Sequence, residues 1–274
     1  MVVVAVLGAG VLHALWNAIA KGLGDVRDSF ALLNLGVVAV CGVLLPFVGF
    51  PNRSAYVYLA VAVVVHQIYE LVLMAAYRHA DFSQSYPIAR GIAPLLVSCG
   101  GVIFANETVG ARNITGVLVV TTGVVLLSRR PSHSHVSSRG IWWAIATGVA
   151  IAIYTVIDGC GVRTAGSSLR YAVTLFFLQS LMWTMAVSVR RGWSWRPTRV
   201  RMAVGAAGGV ISMLGYFTVL WAQTRTTLGT VSALRETGVF WAAVFSVVLF
   251  REGTVRRLLP PAVLVVAGVT LLSL

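Results

Sequence analysis

Two arginines lie inside apolar stretches of this chain. Arg90 falls within Tyr86-Pro87-Ile88-Ala89-Arg90-Gly91, and Arg235 within Ser232-Ala233-Leu234-Arg235-Glu236-Thr237. A guanidinium stays charged and presents a planar fork of donors that matches a carboxylate or phosphate. In hydrocarbon such a charge is expensive, so an intramembrane arginine marks a functional site by default. The two are 145 residues apart (235 − 90). The same offset carries Glu107 onto Glu252 and the run Gly123-Val-Val-Leu-Leu-Ser128 onto Gly268-Val-Thr-Leu-Leu-Ser273. An internal duplication is implied, with a solute site expected where its copies meet.

Other polar residues interrupt the apolar stretches at helical spacing. His13, Asn17 and Lys21 stand at i, i+4 and i+8, one stripe of a helix that also carries Trp16. His13 and Asn17 are read as lining a cavity, and Lys21 as a side chain that snorkels to the interface. Tyr154 and Asp158 share a face, as do Tyr86 and Arg90. Asp158 lies near a helix end and reads equally well as a solvated cap. Tyr216, Trp221 and Gln223 read as an interfacial belt. His66, Gln67, Tyr69 and Glu70 fall in one segment. If that segment turns back near Asp81, Glu70 lies eleven residues before the turn and Arg90 nine after it. Both are then about 13–16 Å deep at ~1.5 Å per residue, near the middle of a ~30 Å slab. A Glu70–Arg90 ion pair is expected. In the second half, 70 + 145 is Gly215, so Glu236 is the carboxylate available there. Glu70, Glu236 and Asp158 are the candidate proton carriers.

These residues need helices to hold them. The chain has 274 residues, 58% hydrophobic and 11% charged, too apolar for an ordinary soluble domain. Spans of about 20 apolar residues cross a bilayer. Ten are predicted: 2–20, 29–49, 55–79, 82–104, 110–128, 140–161, 169–189, 201–223, 228–250 and 258–274. Short gaps make consecutive helices antiparallel neighbours. The start of the chain lacks the positive leader of a secretory signal, so the first span is expected to be retained. The polar stretch 129–139 divides a five-helix unit, 1–128, from a second, 140–274. Five is odd, so the two copies enter the membrane in opposite senses. The expected fold is all-α and integral to the membrane: ten transmembrane helices as two inverted five-helix repeats around a central cavity. Gaps after odd-numbered spans hold fourteen Lys and Arg, against five in the others. By the positive-inside rule both termini face outward.

Net charge is +13, but the basic residues sit between apolar runs and not on a basic face with interleaved aromatics, so no nucleic-acid partner is expected. The expected partners are the lipid bilayer and a small-molecule solute. Ten helices can enclose a cavity within one chain, so a monomer suffices and a dimer is not required. Cys41, Cys99 and Cys160 are scattered, with no metal-ligand spacing. No Gly-x-Ser-x-Gly, His-Glu-x-x-His or phosphate-cradling loop occurs. No cofactor, metal or catalytic residue is expected. The alternatives to transport are an intramembrane enzyme acting on a lipid headgroup and a non-transporting scaffold.

Three stretches carry a family resemblance: His13-Ala-Leu-Trp-Asn-Ala-Ile-Ala-Lys21, the segment Ala76 to Pro94 with Tyr86-Pro87-Ile88-Ala89-Arg90, and Ser232-Ala-Leu-Arg-Glu-Thr-Gly238. They resemble the EamA-type branch of the drug/metabolite transporter superfamily, and Tyr154-Thr-Val-Ile-Asp-Gly159 is similar to the start of its second repeat. The resemblance implies two inverted repeats, a cavity open alternately to each side, and movement of small metabolites such as amino acids, often outward and with a coupled gradient. It also implies His13, Trp16, Asn17, Tyr86, Arg90, Arg235 and Glu236 as cavity residues.

Overall fold

The structure, a computed structural model, describes residues 1–23, 26–79, 82–127, 138–191, 197–241, 244 and 259–273. Among them there is no strand. The α-helices are α1 (Val2–Gly22), α2 (Val26–Val48), α3 (Tyr56–His79), α4 (Phe82–Phe104), α5 (Ala111–Leu127), α6 (Ser138–Thr164), α7 (Ser168–Arg191), α8 (Arg199–Gln223), α9 (Leu228–Glu236) and α10 (Leu259–Ser273). Among the described residues five stretches are long and apolar enough to cross a membrane: Val2–Ala20, Asp28–Val48, Arg53–Ala76, Ser138–Thr164 and Arg199–Gln223. The fold is all-α and that of a multi-pass membrane protein.

The helices turn apolar side chains outward and polar ones inward. On α3, Val57, Val61, Val64, Ile68 and Leu71 form an exposed stripe, while Leu59, Ala62, His66 and Glu70 are buried on the other side. That is the reverse of a water-soluble amphipathic helix. It suits a bundle whose outside is lipid and whose inside must satisfy polar groups.

Packing departs from the expectation that chain neighbours pair. α6 lies against both α3 and α4, while α3 and α4 barely touch each other. α1 packs on α8, α2 on α7 and α8, and α5 on α10. The helices of the two halves thus interleave. Short loops constrain where a helix begins, not which neighbour its small residues fit. α6 presents Ala144, Gly148, Ala152, Thr155 and Gly159, all buried, as one narrow stripe, and such stripes admit close helix approach in lipid.

At one end of the bundle, here face A, several loops are tied together. Asn52 N–H donates to Ala165 O at 3.1 Å and Ser54 Oγ to Thr164 O at 3.0 Å. Arg163 Nε donates to Gln223 O at 2.8 Å, from the end of α6 to the end of α8. At the opposite end, face B, Arg201 Nη2 donates to Leu23 O at 2.8 Å and joins the start of α8 to the end of α1.

The α2–α8 crossing depends on glycine for its closeness. A Cβ at Gly209 would run into the Leu33 carbonyl oxygen, a backbone atom that cannot step aside. Gly209→Ala is expected to cost about 1–3 kcal/mol through overpacking. Gly8→Ala, where a Cβ meets nothing within 4 Å, should leave stability unchanged. Thermal denaturation of the purified protein in detergent compares the two.

Candidate functional site

The site is built around a break in a helix. A continuous span over 228–250 is the sequence expectation; α9 ends at Glu236, helical backbone returns after Thr237, and residues 242–243 and 245–250 lie outside the described residues. Thr237 N–H bonds Leu234 O at 3.2 Å, Phe240 N–H bonds Thr237 O at 3.0 Å, and Thr237 Oγ1 donates to Leu234 O at 2.7 Å. These three-residue closures tighten the chain into a turn before helical backbone resumes over 238–241. Gly238, next in sequence, lets this segment lie backbone to backbone against Gly10 of α1. Every residue of α9 is buried, so Arg235 and Glu236 end the half-helix inside the protein.

Arg90, on α4, reaches across to this break. Its Nη1 donates to both Glu236 oxygens, at 3.1 and 3.4 Å, and Arg235 Nη2 donates to Oε1 at 3.5 Å. Two guanidiniums therefore share one carboxylate. All three groups are deeply buried, Arg90 at 6%, Arg235 at 4% and Glu236 at 1% exposure. The trio carries a net positive charge, and Arg235 Nε has no hydrogen-bond partner. Arg90 Nη2 also contacts His13 Nε2, while Trp16 Nε1 points at His13 Nδ1 at 3.2 Å. A neutral imidazole has one bare nitrogen, so it accepts from one of these donors at a time.

The expected Glu70–Arg90 pair does not form. It rested on α3 and α4 being a hairpin, and α6 stands between them. Glu70 is instead 7% exposed, with its Oε2 lacking a partner. It lines a cavity together with His13, Trp16, Tyr69, Tyr154, Gln179 and Arg235. Asn34 of α2 and Ser212 of α8 also face it. Gln67 Nε2 donates to Gln179 O at 3.1 Å and holds α3 to α7 on the Glu70 side.

A second polar cluster lies beneath the cavity. Asp158 is 0% exposed, so it is not a solvated cap. Tyr171 Oη donates to its Oδ1 at 3.0 Å and Tyr216 Oη to its Oδ2 at 2.6 Å. Tyr216 is therefore an inward donor and not a belt residue. His66 Nδ1 faces Ala62 O at 3.1 Å, and because a carbonyl only accepts, that nitrogen carries the proton. In the neutral ring, His66 Nε2 is then bare, 3.6 Å from Asp158 Oδ2. The His66 ring leans on Tyr154 at 4.3 Å between centroids.

Of the residues expected at the site, His13, Trp16, Tyr154 and Arg235 line the cavity, as does Glu70. Arg90 and Glu236 form the charge cluster beside it. Asn17 does not line it, because its amide donates to His13 O of its own helix at 2.7 Å. The Tyr86 and Lys21 side chains, residues 129–137 of the linker and Glu252 lie outside the described residues. His66, Tyr171 and Tyr216 were not among the expected site residues. For His66 the signal was its position four residues before Glu70 on a segment otherwise apolar. Also legible only afterwards is that 13 + 145 is 158, so His13 and Asp158 hold equivalent positions.

Residues 138–274 match the model of the EamA-like transporter family, a stretch that begins with α6 and includes Tyr154, Asp158, Arg235 and Glu236. None of the curated proteins matches the chain. A solved structure described only as "Crystal structure of protein" superposes with a TM-score of 0.79 at 16% identity, over 100% of this chain and 98% of that one. That likeness speaks to the fold alone.

Removing one partner of a buried ion cluster leaves charges uncompensated, at a cost of about 3–5 kcal/mol. Glu236→Ala should lower the thermal midpoint accordingly. Glu70→Gln removes no hydrogen bond seen at Oε2 and should leave the midpoint near that of the parent protein.

Proposed function

Because this chain belongs to the EamA-like transporter family, we propose that it is a secondary transporter of a small polar metabolite, amino-acid-like or another carboxylate or amine solute. The observation that carries the reading is the surplus cation at the cavity wall. Two buried arginines share one glutamate, and Arg235 keeps a free donor. Arg235 lines the cavity, so a shift of its side chain would offer that unpartnered donor to an anionic group without first displacing a protein partner. Trp16, Tyr69 and Tyr154 supply flat apolar walls for the rest of the solute, and Glu70 supplies an acceptor for an amine.

Two inverted five-helix repeats, 1–128 and 140–274, account for the packing. Shifting one half onto the other by 145 residues turns the α3–α6 contact into α8–α1, and leaves α2–α7, α4–α9 and α5–α10 paired with themselves. All of these contacts occur. In the α5–α10 crossing, Gly116 lies against Gly268 and Gly123 against Pro261. These are the same pair under that exchange, since 123 + 145 is 268 and 116 + 145 is 261. Such reciprocity is what two-fold related copies produce. The orientation proposed from Lys and Arg counts puts face B in the cytoplasm and both termini outside. One chain encloses the cavity, so a monomer suffices.

Asp158 and His66 are the proposed proton site. With His66 Nε2 bare and Asp158 ionised, the pair can take up one proton, held between two groups that the tyrosines and Ala62 O already orient. Glu236 is less suited, since both arginines hold it. An intramembrane enzyme is the alternative reading; among the described residues no hydrogen bond at the cavity pairs a serine or cysteine with a histidine.

Reconstituted proteoliposomes test the proposal with a panel of labelled amino acids, carboxylates and amines. Flux of at least one is expected. Arg235→Ala should reduce it at least about tenfold, in keeping with loss of a hydrogen bond to a charged group. An imposed pH gradient should accelerate flux in the parent and not in Asp158→Asn. Solute-independent leakage for the whole panel would refute transport, and an unchanged response to the gradient in Asp158→Asn would refute the proton site.

A further inference from the structure

Building on the transport reading, we propose that Glu107 and Arg163 form the latch that closes face A, and that it positions Arg235 through α9. The two Glu107 carboxylate oxygens each accept from Leu228 N–H at 3.0 Å, capping the first turn of α9. Arg163 Nη2 donates to Glu107 Oε1 at 2.5 Å and to Thr226 O at 3.1 Å, and its Nε holds Gln223 O at 2.8 Å. One cluster thus joins the α4–α5 loop, the end of α6 and the α8–α9 loop. A carboxylate at a helix N-terminus is favoured by the helix dipole, and its charged partner strengthens each bond.

The cluster sits over a dry seal. Leu228, Leu220, Ala222 and Gln223 are fully buried beneath it, and the neighbouring Ala55, Val162 and Tyr171 fill the same end. The cavity begins on the far side of this layer. Its walls run from Tyr154 and Tyr216 toward Trp16 and Phe30, which lie in the halves of α1 and α2 nearest face B and are only part-buried. The structure is therefore shut at face A, with its cavity extending toward face B.

A closure that is broken in every cycle must be replaceable by water. Arg163, the outer half of the Glu107–Arg163 pair, meets that condition and the central cluster does not. The Arg163 side chain is 29% exposed, over a Glu107 side chain that is 6% exposed, against 7% for Arg90 and 0% for Glu236. Separated, Arg163 can be hydrated and Glu107 keeps the Leu228 N–H, whereas the Arg90–Glu236 charges would be stranded. The latch is also one-sided. Glu107 has a counterpart in Glu252, but 163 − 145 is Ala18, so the other copy lacks the arginine. α9 runs seven residues from Leu228 to Arg235, about 10 Å of rigid helix. Releasing its first turn frees the helix that carries the binding guanidinium.

Cys160 reports on this closure. It lies one turn before Arg163, partly buried against the Val97–Leu228 cluster, with its Sγ toward Phe104 O at 3.7 Å. In full-length protein with Cys41→Ala and Cys99→Ala, the rate at which a membrane-impermeant maleimide modifies Cys160 measures opening at face A. Glu107→Gln should raise that rate about tenfold, the effect of one lost charge-assisted hydrogen bond on a two-state closure, and Arg163→Lys should raise it less. In the unmutated latch, raising salt from about 0.05 to 1 M should also accelerate labelling, because screening weakens a partly hydrated ion pair but not an apolar seal. Equal rates in folded Glu107→Gln overturn the proposal. If that variant does not fold, a salt-independent rate overturns it. The measurement needs no solute, so failure of flux would not be mistaken for failure of the latch.

Discussion

The constraint on which the rest of the structure depends is the cost of placing two guanidiniums among apolar helices. Arg90 and Arg235 stay charged under any cellular condition, so the protein must supply a counter-charge and keep it in place. Glu236 does so for both. It can reach both because α9 carries Arg235 and Glu236, just before the tightened turn at Thr237, to the meeting point of α1, α4 and α9. Irregular backbone at membrane depth is tolerated where it lines a cavity and its polar groups are satisfied. Thr237 satisfies part of that need itself, through its own N–H and hydroxyl on Leu234 O.

Compensating two cations with one anion leaves the region short of negative charge. A protein selected only for stability would do better with apolar residues at all three positions, since a buried ion pair is weak evidence of stabilisation. Under the transport proposal, the arrangement is a site held ready for an anionic group. Arg235, with its unpartnered Nε, and Glu70, with its unpartnered Oε2, line one cavity from α9 and α3, and under the transport proposal they are its donor and acceptor poles. The Asp158 cluster differs in kind. Each of its oxygens already has a tyrosine donor, so it is suited to hold a proton with His66 and poorly suited to hold a solute.

How much of this was legible in the residues follows from what each signal encodes. Helices are written locally, in runs of about 20 apolar residues, and most observed elements start and stop within a few residues of the expected ones. Arg90 and Arg235 announced themselves because a charge in an apolar run is conspicuous without any fold. Partner choice is not local. Nothing in Glu70 or Arg90 says that the stripe of small residues on α6 will part α3 from α4, so the hairpin pair looked sound and is absent. The break at Thr237 was equally hidden, because Ser232–Gly238 holds no proline and reads as unbroken helix. Asn17 and Tyr216 show the same limit in side chains: spacing gives the face, but whether an amide turns to its own backbone or a phenol turns inward is decided by the neighbour opposite.

The differences between the halves say more about mechanism than their likeness. Equivalent positions carry His13 and Asp158, Glu70 and Gly215, Arg163 and Ala18, while Arg90 and Arg235 are kept. If the two copies are the inverted repeats proposed, a symmetric machine would have the same energy open to either side, and nothing in it would choose a resting state. Each substitution removes that degeneracy in a different way. His13 beside Arg90 and Asp158 beside the tyrosines give one copy a base among cations and the other an acid among neutral donors. Glu70 without a twin gives the cavity a direction, so a solute with unlike ends has one preferred orientation. Arg163 without a twin gives one face a tie that the other lacks. Retaining the arginines while letting their surroundings diverge keeps the binding charge central and places the bias at the periphery, where a modest difference in free energy shifts the population between states.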